Sequence, residues 1–408
     1  MRRPGYRGRL AILVTTVVGV NVGYTAVLPH LPVIGRDLGL DATTLGAFFS
    51  GFAVAKALAQ APGGRAVDRL GGAVVTAIAL LVAAGGIVVV ALAGGGIAAV
   101  TGRLIWGFAD GLASPALYYS ASVLARTYGR DPAAAYAKLG AAAVGSFALG
   151  PILVGLLHTV LGWRQILLLA AALTVVNAVV AGLTAPGRAV TAEPEDRGER
   201  AGGPAPRWLG VVLIFGALDL CANILWSGIE PLVPLAMADG THDTTGPAAL
   251  VLAVGMGVFV VATMTLTKLP AAWRGPGWGA ATMALLGLSC VGLTWVSTLW
   301  AGLLAIAVFM VAQGQIYLVA RDGLTAYAGG TGRAWGVFGL MSDIGFILGP
   351  IIGIALFTFA GDVAFALLAQ VALAAALVFA IVFRRLGPPA LRAAGQGAER
   401  GAATTTTG

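Results

Sequence analysis

A short segment near the start of the chain recurs about 200 residues later, and this repeat constrains the fold most strongly. At a shift of 202 residues the copies share an asparagine, two prolines and an aspartate, at Asn21 and Asn223, Pro29 and Pro231, Pro32 and Pro234, and Asp37 and Asp239. Further along, FALGPI at 147–152 recurs as FILGPI at 346–351. Because both copies lie in long apolar runs, the repeat predicts an all-α membrane protein of two similar bundles, an architecture typical of transporters.

The composition excludes an ordinary soluble globular protein, since 58% of the 408 residues are hydrophobic, 10% are charged and the mean hydropathy is +0.91. The net charge of +8 comes from small basic groups between apolar runs, with no nucleic-acid-binding motif. Cys221 and Cys290 lie inside apolar segments, and His30, His158 and His242 are too scattered for a metal site. With no hydrolase or phosphate-binding motif, the sequence predicts a non-enzyme that needs no metal or cofactor.

Twelve apolar runs are long enough to cross a bilayer, which requires about 20 residues each. They cover 10–32, 44–62, 73–94, 97–122, 136–158, 162–184, 208–235, 247–268, 277–297, 300–320, 335–357 and 362–383. The predicted fold is therefore two six-helix bundles related by pseudo-two-fold symmetry. The predicted domains are an N-terminal bundle, a Pro-, Gly- and charge-rich cytoplasmic linker, a C-terminal bundle and a disordered cytoplasmic tail, at 1–184, 185–207, 208–388 and 389–408.

The distribution of basic residues predicts the orientation in the membrane. Every second connection is basic, with Arg65 and Arg69, Arg126 and Arg130, Lys268 and Arg274, and Arg321 and Arg333. The opposite connections hold only Arg36 and Arg164. The positive-inside rule therefore predicts that both termini lie in the cytoplasm, as an even number of spans also requires. We expect a multi-pass protein of the plasma membrane.

Two short motifs lie in the first three predicted helices. Helix 1 has a glycine, a P-x-x-P pair and an acidic D-L-G, at Gly23, Pro29, Pro32 and 37–39. The connection between helices 2 and 3 reads G-x-x-x-D-R-x-G, at Gly64, Asp68, Arg69 and Gly71. Its glycines permit a tight turn, and Asp68 can lie near the positive N-terminal end of a neighbouring helix.

Two further motifs lie in helices 4 and 5. Helix 4 has an arginine followed by two glycines, at Arg103, Gly107 and Gly111. Helix 5 has a glycine-rich run ending in Gly150 and Pro151, which recurs in helix 11 as Gly349 and Pro350. Together with the twelve spans, the four motifs resemble the major facilitator superfamily over nearly the whole chain, specifically its twelve-helix drug:proton antiporter branch.

The resemblance implies that helices 1, 4, 7 and 10 line a cavity, that Asp68 contacts the eleventh helix as a latch, and that Arg103 takes part in proton coupling. The chain departs from the family pattern at three places. The basic residues that usually follow the latch motif are missing, and Trp106 and Ser146 replace an expected Gln and Gly. The recurrence of the Gly-Pro run in helix 11 also fits a scaffold role rather than an export marker.

Six charged residues fall in the interior of the predicted spans, away from their ends, where each costs about 2.5 to 3.5 kcal/mol on insertion scales. They are Lys56, Arg103, Asp110, Asp219, Glu230 and Asp343. This cost marks them as candidates for proton coupling, unless they are neutralised structural pairs. Asp219 and Asp110 are the leading proton carriers, with Arg103 tuning them.

Helical spacing groups several of these residues on common faces. In helix 4 the face contains Arg103, Gly107, Asp110, Gly111 and Ser114, and in helix 7 it contains Asp219, Asn223, Trp226 and Glu230. Arg103 and Asp110 form either a structural ion pair or a proton relay. Lys56 and Asp343 lie at similar depths, which suggests that they form an ion pair between the halves that breaks during transport. The alternative is that each of them pairs within its own bundle.

The polar and aromatic residues predicted to line the substrate cavity are Asn21, Tyr24, Trp106, Ser114, Asn223, Trp226, Gln313 and Tyr317. Their aromatic faces and carboxylate neighbours suit a lipophilic neutral or cationic small molecule. We expect a monomeric, proton-coupled exporter of drug-like compounds or secondary metabolites in the lipid bilayer. An importer of a sugar or organic acid is the same-fold alternative, and a non-transporting receptor or assembly partner is the remote one.

Overall fold

The computed structural model describes residues 5–130, 132–184, 208–238, 243–270, 276–328 and 332–404, and these residues form helices and connecting turns without a strand. The first helical stretch, α1 (Tyr6–Asp37), consists of an α-helix, a 3-10 turn and a short second helix. The remaining long helices are α2 (Ala42–Leu70), α3 (Gly72–Ala91), α4 (Gly96–Thr127), α5 (Pro132–Leu157), α6 (Trp163–Thr184), α7 (Trp208–Met237), α8 (Thr245–Leu266), α9 (Gly279–Gly292), α10 (Leu299–Ala328), α11 (Gly332–Ala360) and α12 (Val363–Thr404). The linker predicted at 185–207 lies outside the described residues.

These helices account for the twelve predicted spans, and the all-α membrane fold is confirmed. Ten of them, among the described residues, are long and apolar enough to cross a bilayer. Helix α4 falls outside that set because Arg103 and Asp110 lower its hydropathy, and α9 with its following turn (Gly279–Trp295) is shorter. Both helices thus lie where the sequence predicts spans, but α4 is too polar and α9 too short to meet the criteria for a membrane span.

The helix 1 motif marks the positions where the first span changes geometry. Pro29 lies at the start of the 3-10 turn Leu28–His30, and Pro32 lies at the start of the short helix Leu31–Asp37. A proline is tolerated at a helix start because that backbone nitrogen has no intrahelical acceptor. The P-x-x-P spacing thus sets two successive helix starts within one span.

The connection between α2 and α3 is shorter than the sequence predicts. Gly64, Asp68 and Arg69 belong to the last two turns of α2, which ends at Leu70. Gly71 has a φ of 84°, a backbone conformation that glycine adopts without a steric penalty, and α3 begins at the next residue. The motif therefore ends one helix and turns the chain directly into the next.

The chain divides into two compact units. The first unit comprises Met1–Arg197 and Met237–Ala253, and the second comprises Gly198–Ala236 and Val254–Gly408. The start of α8 belongs to the first unit, where Ala249 packs with Ala26, Val154 and Ile166. The bounds predicted from the sequence, with a change of domain at the linker, stay a prediction.

Helix α12 continues to Thr404, whereas the sequence predicts a disordered tail from residue 389. The segment 389–404 contains six alanines, which are strong helix formers, but also three glycines and a proline, which are the weakest. Local helix propensity alone does not explain why α12 continues through this segment.

Candidate functional site

The carboxylate of Asp219, on α7, is the centre of a polar network in the second unit. The residue is only 3% exposed. Nη1 of Arg321 on α10 donates to its Oδ1 at 3.0 Å. Oγ of Ser342 on α11 and Nδ2 of Asn223 donate to Oδ2 at 2.7 Å and 3.0 Å. A further bond of 2.8 Å joins Nδ2 of Asn223 to Oγ of Ser342, so side chains from three helices hold this carboxylate.

Two members of this network are predicted from the sequence and two are missed. The hydrogen bond between Asp219 and Asn223 confirms that they share one face of the helix. The sequence predicts that Arg321 lies in the connection after helix 10, whereas it lies inside α10, which continues about two turns past it to Ala328. A signal was present, since Arg321 continues the four-residue spacing of Gln313 and Tyr317.

The guanidinium of Arg321 also contacts aromatic rings. Its central carbon lies 3.5 Å from the ring centroid of Tyr317 and 5.2 Å from that of Phe338. Nη1 donates a second hydrogen bond, of 3.1 Å, to the carbonyl oxygen of Tyr317. These contacts orient the cation toward Asp219. Tyr317, predicted as a cavity residue, therefore supports the ion pair.

Glycines bring α11 against α7 and so place Ser342 beside Asp219. A Cβ atom at Gly345 would lie 2.7 Å from the carbonyl oxygen of Leu220, and one at Gly353 would lie 2.7 Å from that of Gly228. Gly349 faces the Ser227 hydroxyl and would meet it if it carried a side chain. Small residues permit such close helix packing. The glycine run of helix 11 is thus a packing device for the network.

An ion pair between α2 and α4 lies in the first unit. Nζ of Lys56 lies 2.5 Å from Oδ2 of Asp110, whose side chain is only 7% exposed. This arrangement matches the alternative in which Lys56 pairs within its own bundle. The predicted partner, Asp343, lies on α11 in the second unit, and a Lys56–Asp343 pair stays a prediction.

The helix 4 glycines permit the contact of α2 with α4. A Cβ atom at Gly107 would lie 2.8 Å from the Cα of Phe52, and one at Gly111 would lie 2.7 Å from the Cβ of Ala59. At this separation the backbone of α4 touches that of α2, which brings Asp110 to the side chain of Lys56. The glycines of the helix 4 motif, Gly107 and Gly111, therefore have a structural role, in addition to the role in coupling that the resemblance implies for Arg103.

Arg103 is fully buried and is surrounded by aromatic rings in the first unit. Its Nε donates to the carbonyl oxygen of Phe48 at 3.3 Å. The guanidinium carbon lies between 4.6 and 5.6 Å from five ring centroids, those of Tyr24, Phe48, Phe49, Phe52 and Trp106. Cation–π attraction therefore stabilises this charge, and two predicted cavity residues, Tyr24 and Trp106, belong to its surroundings.

A small cavity adjoins Asp110 inside the first unit. It has a volume of about 10 Å³, and its lining includes Asp110, Trp106 and Thr174 among apolar residues. That volume is close to the lower limit for one water molecule. The space beside the carboxylate is therefore of the size of a single water molecule.

Two other predicted cavity residues of the first unit bond to neighbouring backbone. Nδ2 of Asn21 donates to the carbonyl oxygen of Ala143 at 3.1 Å and to Oγ of Ser146 at 3.0 Å, which ties α1 to α5. Oγ of Ser114 donates to the backbone oxygen of Asp110 at 3.0 Å. Asn21 therefore supports helix packing, whereas the bond of Ser114 stays within α4. The serine that replaces an expected glycine in helix 5 is a partner of Asn21.

The remaining cavity candidates of the second unit lie on α7 and α10. The ring of Trp226 is 6.3 Å from that of Phe309, centroid to centroid. Oε1 of Gln313 is buried and accepts no hydrogen bond from the described residues. Glu230 is buried near the end of α7. These side chains extend the polar and aromatic stripe away from Asp219.

The predicted conformational motifs have different surroundings. Asp68 and Arg69 are exposed at the end of α2, and the predicted contact of Asp68 with helix 11 stays a prediction. A Cβ atom at Gly150 would lie 2.8 Å from the backbone nitrogen of Ala26, so this glycine lets α5 approach α1. Pro151 and Pro350 lie inside α5 and α11.

Within the described ranges, no group of three or more His, Cys, Asp or Glu side chains is arranged to hold a metal ion. Cys221 and Cys290 are free thiols. The polar side chains described above therefore form ion pairs and hydrogen bonds.

Comparisons with known proteins agree with this architecture. The family model described as Major Facilitator Superfamily matches residues 13–329. Two structures of the nucleoside transporter NupG, one of them a point mutant, are similar to this chain, each at 15% sequence identity. The point mutant has a TM-score of 0.74 and covers 93% of this chain and 100% of that chain. The other structure has a TM-score of 0.72 and covers 92% of this chain and 99% of that chain. A POT family transporter in complex with 5-aminolevulinic acid has a TM-score of 0.68 and 13% identity, over 92% of this chain and 96% of that chain. Among curated proteins, no match to this sequence is found.

Proposed function

The chain belongs to the Major Facilitator Superfamily, and on that premise we propose that it is a proton-coupled exporter of lipophilic small molecules that works by alternating access. It is a multi-pass membrane transporter rather than an enzyme. The proton, the outward direction and the substrate class are the parts that we propose.

The observation that carries the proposal is the buried carboxylate of Asp219, held by Arg321, Ser342 and Asn223 within a helix long enough to cross the membrane. Burial disfavours the charged carboxylate, whereas the three donors favour it. Protonation would neutralise the carboxylate and remove its attraction for Arg321, which couples the proton to the packing of α7, α10 and α11.

The Lys56–Asp110 pair supplies a second site of the same kind in the first unit. A buried acid that loses its basic partner is left with an uncompensated charge. Each acid is therefore either paired with its basic side chain or protonated and neutral. If the protonated acid and the bound substrate exclude each other, inward proton flow drives outward substrate flow. We assign Asp219 the leading role because its carboxylate is held by more side chains.

The substrate that fits these residues is neutral and lipophilic. Asp110 and Asp219 each face a basic side chain of their own unit, so the two acids do not by themselves favour a cation. Trp226, which is 8% exposed and lies beside the fully buried Phe309, provides an aromatic face in the second unit. Such faces bind apolar compounds through buried area rather than through charge.

Import of a sugar or organic acid is the second candidate, because the motif that resembles an export marker also has a packing explanation. The Gly-Pro run of α5, which resembles an export marker, recurs in α11, and Gly150 and Gly349 both lie at close helix contacts. A packing role explains both copies without reference to transport direction. The folds of a nucleoside transporter and a POT family transporter are also similar to this one.

Vesicle transport decides between the two candidates. Everted membrane vesicles containing the protein, energised to an acidic interior, would be tested with a panel of fluorescent lipophilic compounds. An exporter accumulates a compound in these vesicles, and a protonophore abolishes the accumulation. Proton-driven uptake of a sugar or organic acid into right-side-out vesicles, with no compound accumulated by everted vesicles, would refute export in favour of import.

A further inference from the structure

Ser342 lies on α11 with its hydroxyl between Asn223 and Asp219. Its oxygen accepts a hydrogen bond of 2.8 Å from Nδ2 of Asn223 and lies 2.7 Å from Oδ2 of Asp219. A serine hydroxyl has a single hydrogen and two acceptor lone pairs. Because the asparagine nitrogen supplies the hydrogen of the first bond, the serine hydrogen points to the carboxylate.

This orientation favours the charged form of Asp219. A hydroxyl that donates to a carboxylate forms a charge-assisted bond, stronger than one between neutral groups. When a proton binds at Oδ2, that oxygen becomes a donor, and the serine hydrogen must turn away to avoid it. Proton uptake at Oδ2 therefore ends the charge-assisted bond that Ser342 donates, and Oγ of Ser342 can instead accept from the protonated acid through its second lone pair.

The packing of α11 prevents Ser342 from moving away independently. Gly345, one turn later, lies against α7, where a Cβ atom would be 2.7 Å from the carbonyl oxygen of Leu220 and 2.9 Å from the Cβ of Asn223. Oγ of Ser227 adds a hydrogen bond of 3.2 Å to the carbonyl oxygen of Gly345. The backbone that carries Ser342 is thus fixed at a short distance from Asp219.

Resting on the proposed function, we propose that Ser342 is a positioning residue that sets the pH at which Asp219 binds the coupled proton. Arg321 and Tyr317 on α10 are ionisable side chains of this network, and Asp343 follows Ser342 on α11. Arg321 makes the ion pair, and Ser342 adds a neutral donor that adjusts the proton affinity without changing the charge of the site.

Infrared difference spectroscopy of the full-length protein in lipid vesicles measures the protonation of Asp219 directly and needs no substrate. The carbonyl band of the protonated acid is titrated with pH, and its absence in Asp219→Asn assigns it to Asp219. In Ser342→Ala, loss of a donor to the anion raises proton affinity about tenfold, so the midpoint moves about one pH unit upward. Ser342→Thr keeps the hydroxyl and retains the wild-type midpoint.

Ser227→Ala is the matched control. Ser227 is a buried serine at the same α7–α11 contact, and its Oγ donates to the backbone oxygens of Asn223 at 2.6 Å and Gly345 at 3.2 Å rather than to Asp219. This variant tests the loss of a hydroxyl from the helix contact in general. We expect its midpoint to stay at the wild-type value.

The outcomes separate this inference from the function on which it rests. A titrating Asp219 band whose midpoint is the same in wild type and Ser342→Ala, or shifts equally in Ser227→Ala, overturns the role of Ser342 alone. If no band that disappears in Asp219→Asn titrates in the wild type, Asp219 does not bind the proton, and both the role of Ser342 and the assignment of Asp219 as the proton carrier fall.

Discussion

Nη1 of Arg321 lies 3.0 Å from Oδ1 of Asp219, so a cation of α10 neutralises an acid of α7 inside one compact unit. The position of Asp219 is a departure from the repeat, because the shift of 202 residues aligns Asp219 with Val17. The two halves therefore share a scaffold while their charges differ. Each half has its own acid–base groups.

Replacing Arg321 by Gln should destabilise the protein, because the buried Asp219 loses its cationic partner; loss of one partner costs about 3 kcal/mol in buried pairs. The double variant Arg321→Gln with Asp219→Asn should recover most of the melting temperature, since no charge is then left alone. Thermal unfolding in detergent measures both. Equal melting temperatures for the single and double variants would show that the pair has no energetic coupling.

A methyl group at Gly345 should disrupt the contact of α11 with α7. The added Cβ would lie 2.7 Å from a backbone oxygen, and overpacking of this kind costs about 1 to 3 kcal/mol. Gly339→Ala on the same helix is the control, because nothing lies within 4 Å of its added Cβ. We expect a lower melting temperature for Gly345→Ala and an unchanged or higher one for Gly339→Ala; the reverse order would contradict the packing described.

The Lys56–Asp110 pair should be energetically coupled in the first unit. Lys56→Gln leaves a nearly buried carboxylate without its cation, whereas Lys56→Gln combined with Asp110→Asn leaves two neutral amides. The double variant should therefore melt at a higher temperature than Lys56→Gln alone. Additive effects of the two substitutions would contradict a direct ion pair.

Asp41 should stabilise the start of α2 in a pH-dependent way. The backbone N–H of Thr44 donates to its Oδ1 at 2.7 Å, and this bond, with one from the Thr44 side chain, lowers the pKa of Asp41 below its ordinary value of 3.8. A lowered folded-state pKa contributes stability above the unfolded value that disappears as the pH falls through the folded value. Asp41→Ala should therefore lower the melting temperature at neutral pH.

Acid and a conservative variant provide the controls for this cap. The difference in melting temperature between wild type and Asp41→Ala should shrink as the solution is acidified below the pKa of Asp41. Asp41→Asn keeps a capping oxygen and should resemble the wild type at neutral pH. A difference that persists unchanged in acid would mean that the ionised cap is not its source.

The fold could be predicted from the sequence because its signals are local and repeated. Apolar runs fix the existence of the helices, and the repeat fixes their division into similar halves. Helix ends were less predictable, since α2 continues through Asp68 and Arg69 and α10 continues past Arg321. When only hydropathy is considered, polar residues in the last turns of a membrane helix are assigned to the connection that follows it.

The candidate site could be predicted along each helix but not between helices. The four-residue spacing of Asp219 and Asn223 sets their common face, and their hydrogen bond confirms it. The partners Arg321 and Ser342 depend on how α10 and α11 are rotated toward α7. Depth in the membrane suggested Asp343 for Lys56, but depth carries no information about rotation, and the structure places Lys56 against Asp110.

Transport by purified wild type and Asp219→Asn, compared in liposomes, tests the central claim most directly. A compound accumulated in the vesicle assay would be measured in two modes, uphill transport driven by an imposed pH gradient and exchange between equal pools without a gradient. We predict that Asp219→Asn loses uphill transport and keeps exchange, whereas Asp362→Asn, at an exposed turn, keeps both. Undiminished uphill transport by Asp219→Asn would contradict the assignment of Asp219 as the proton carrier.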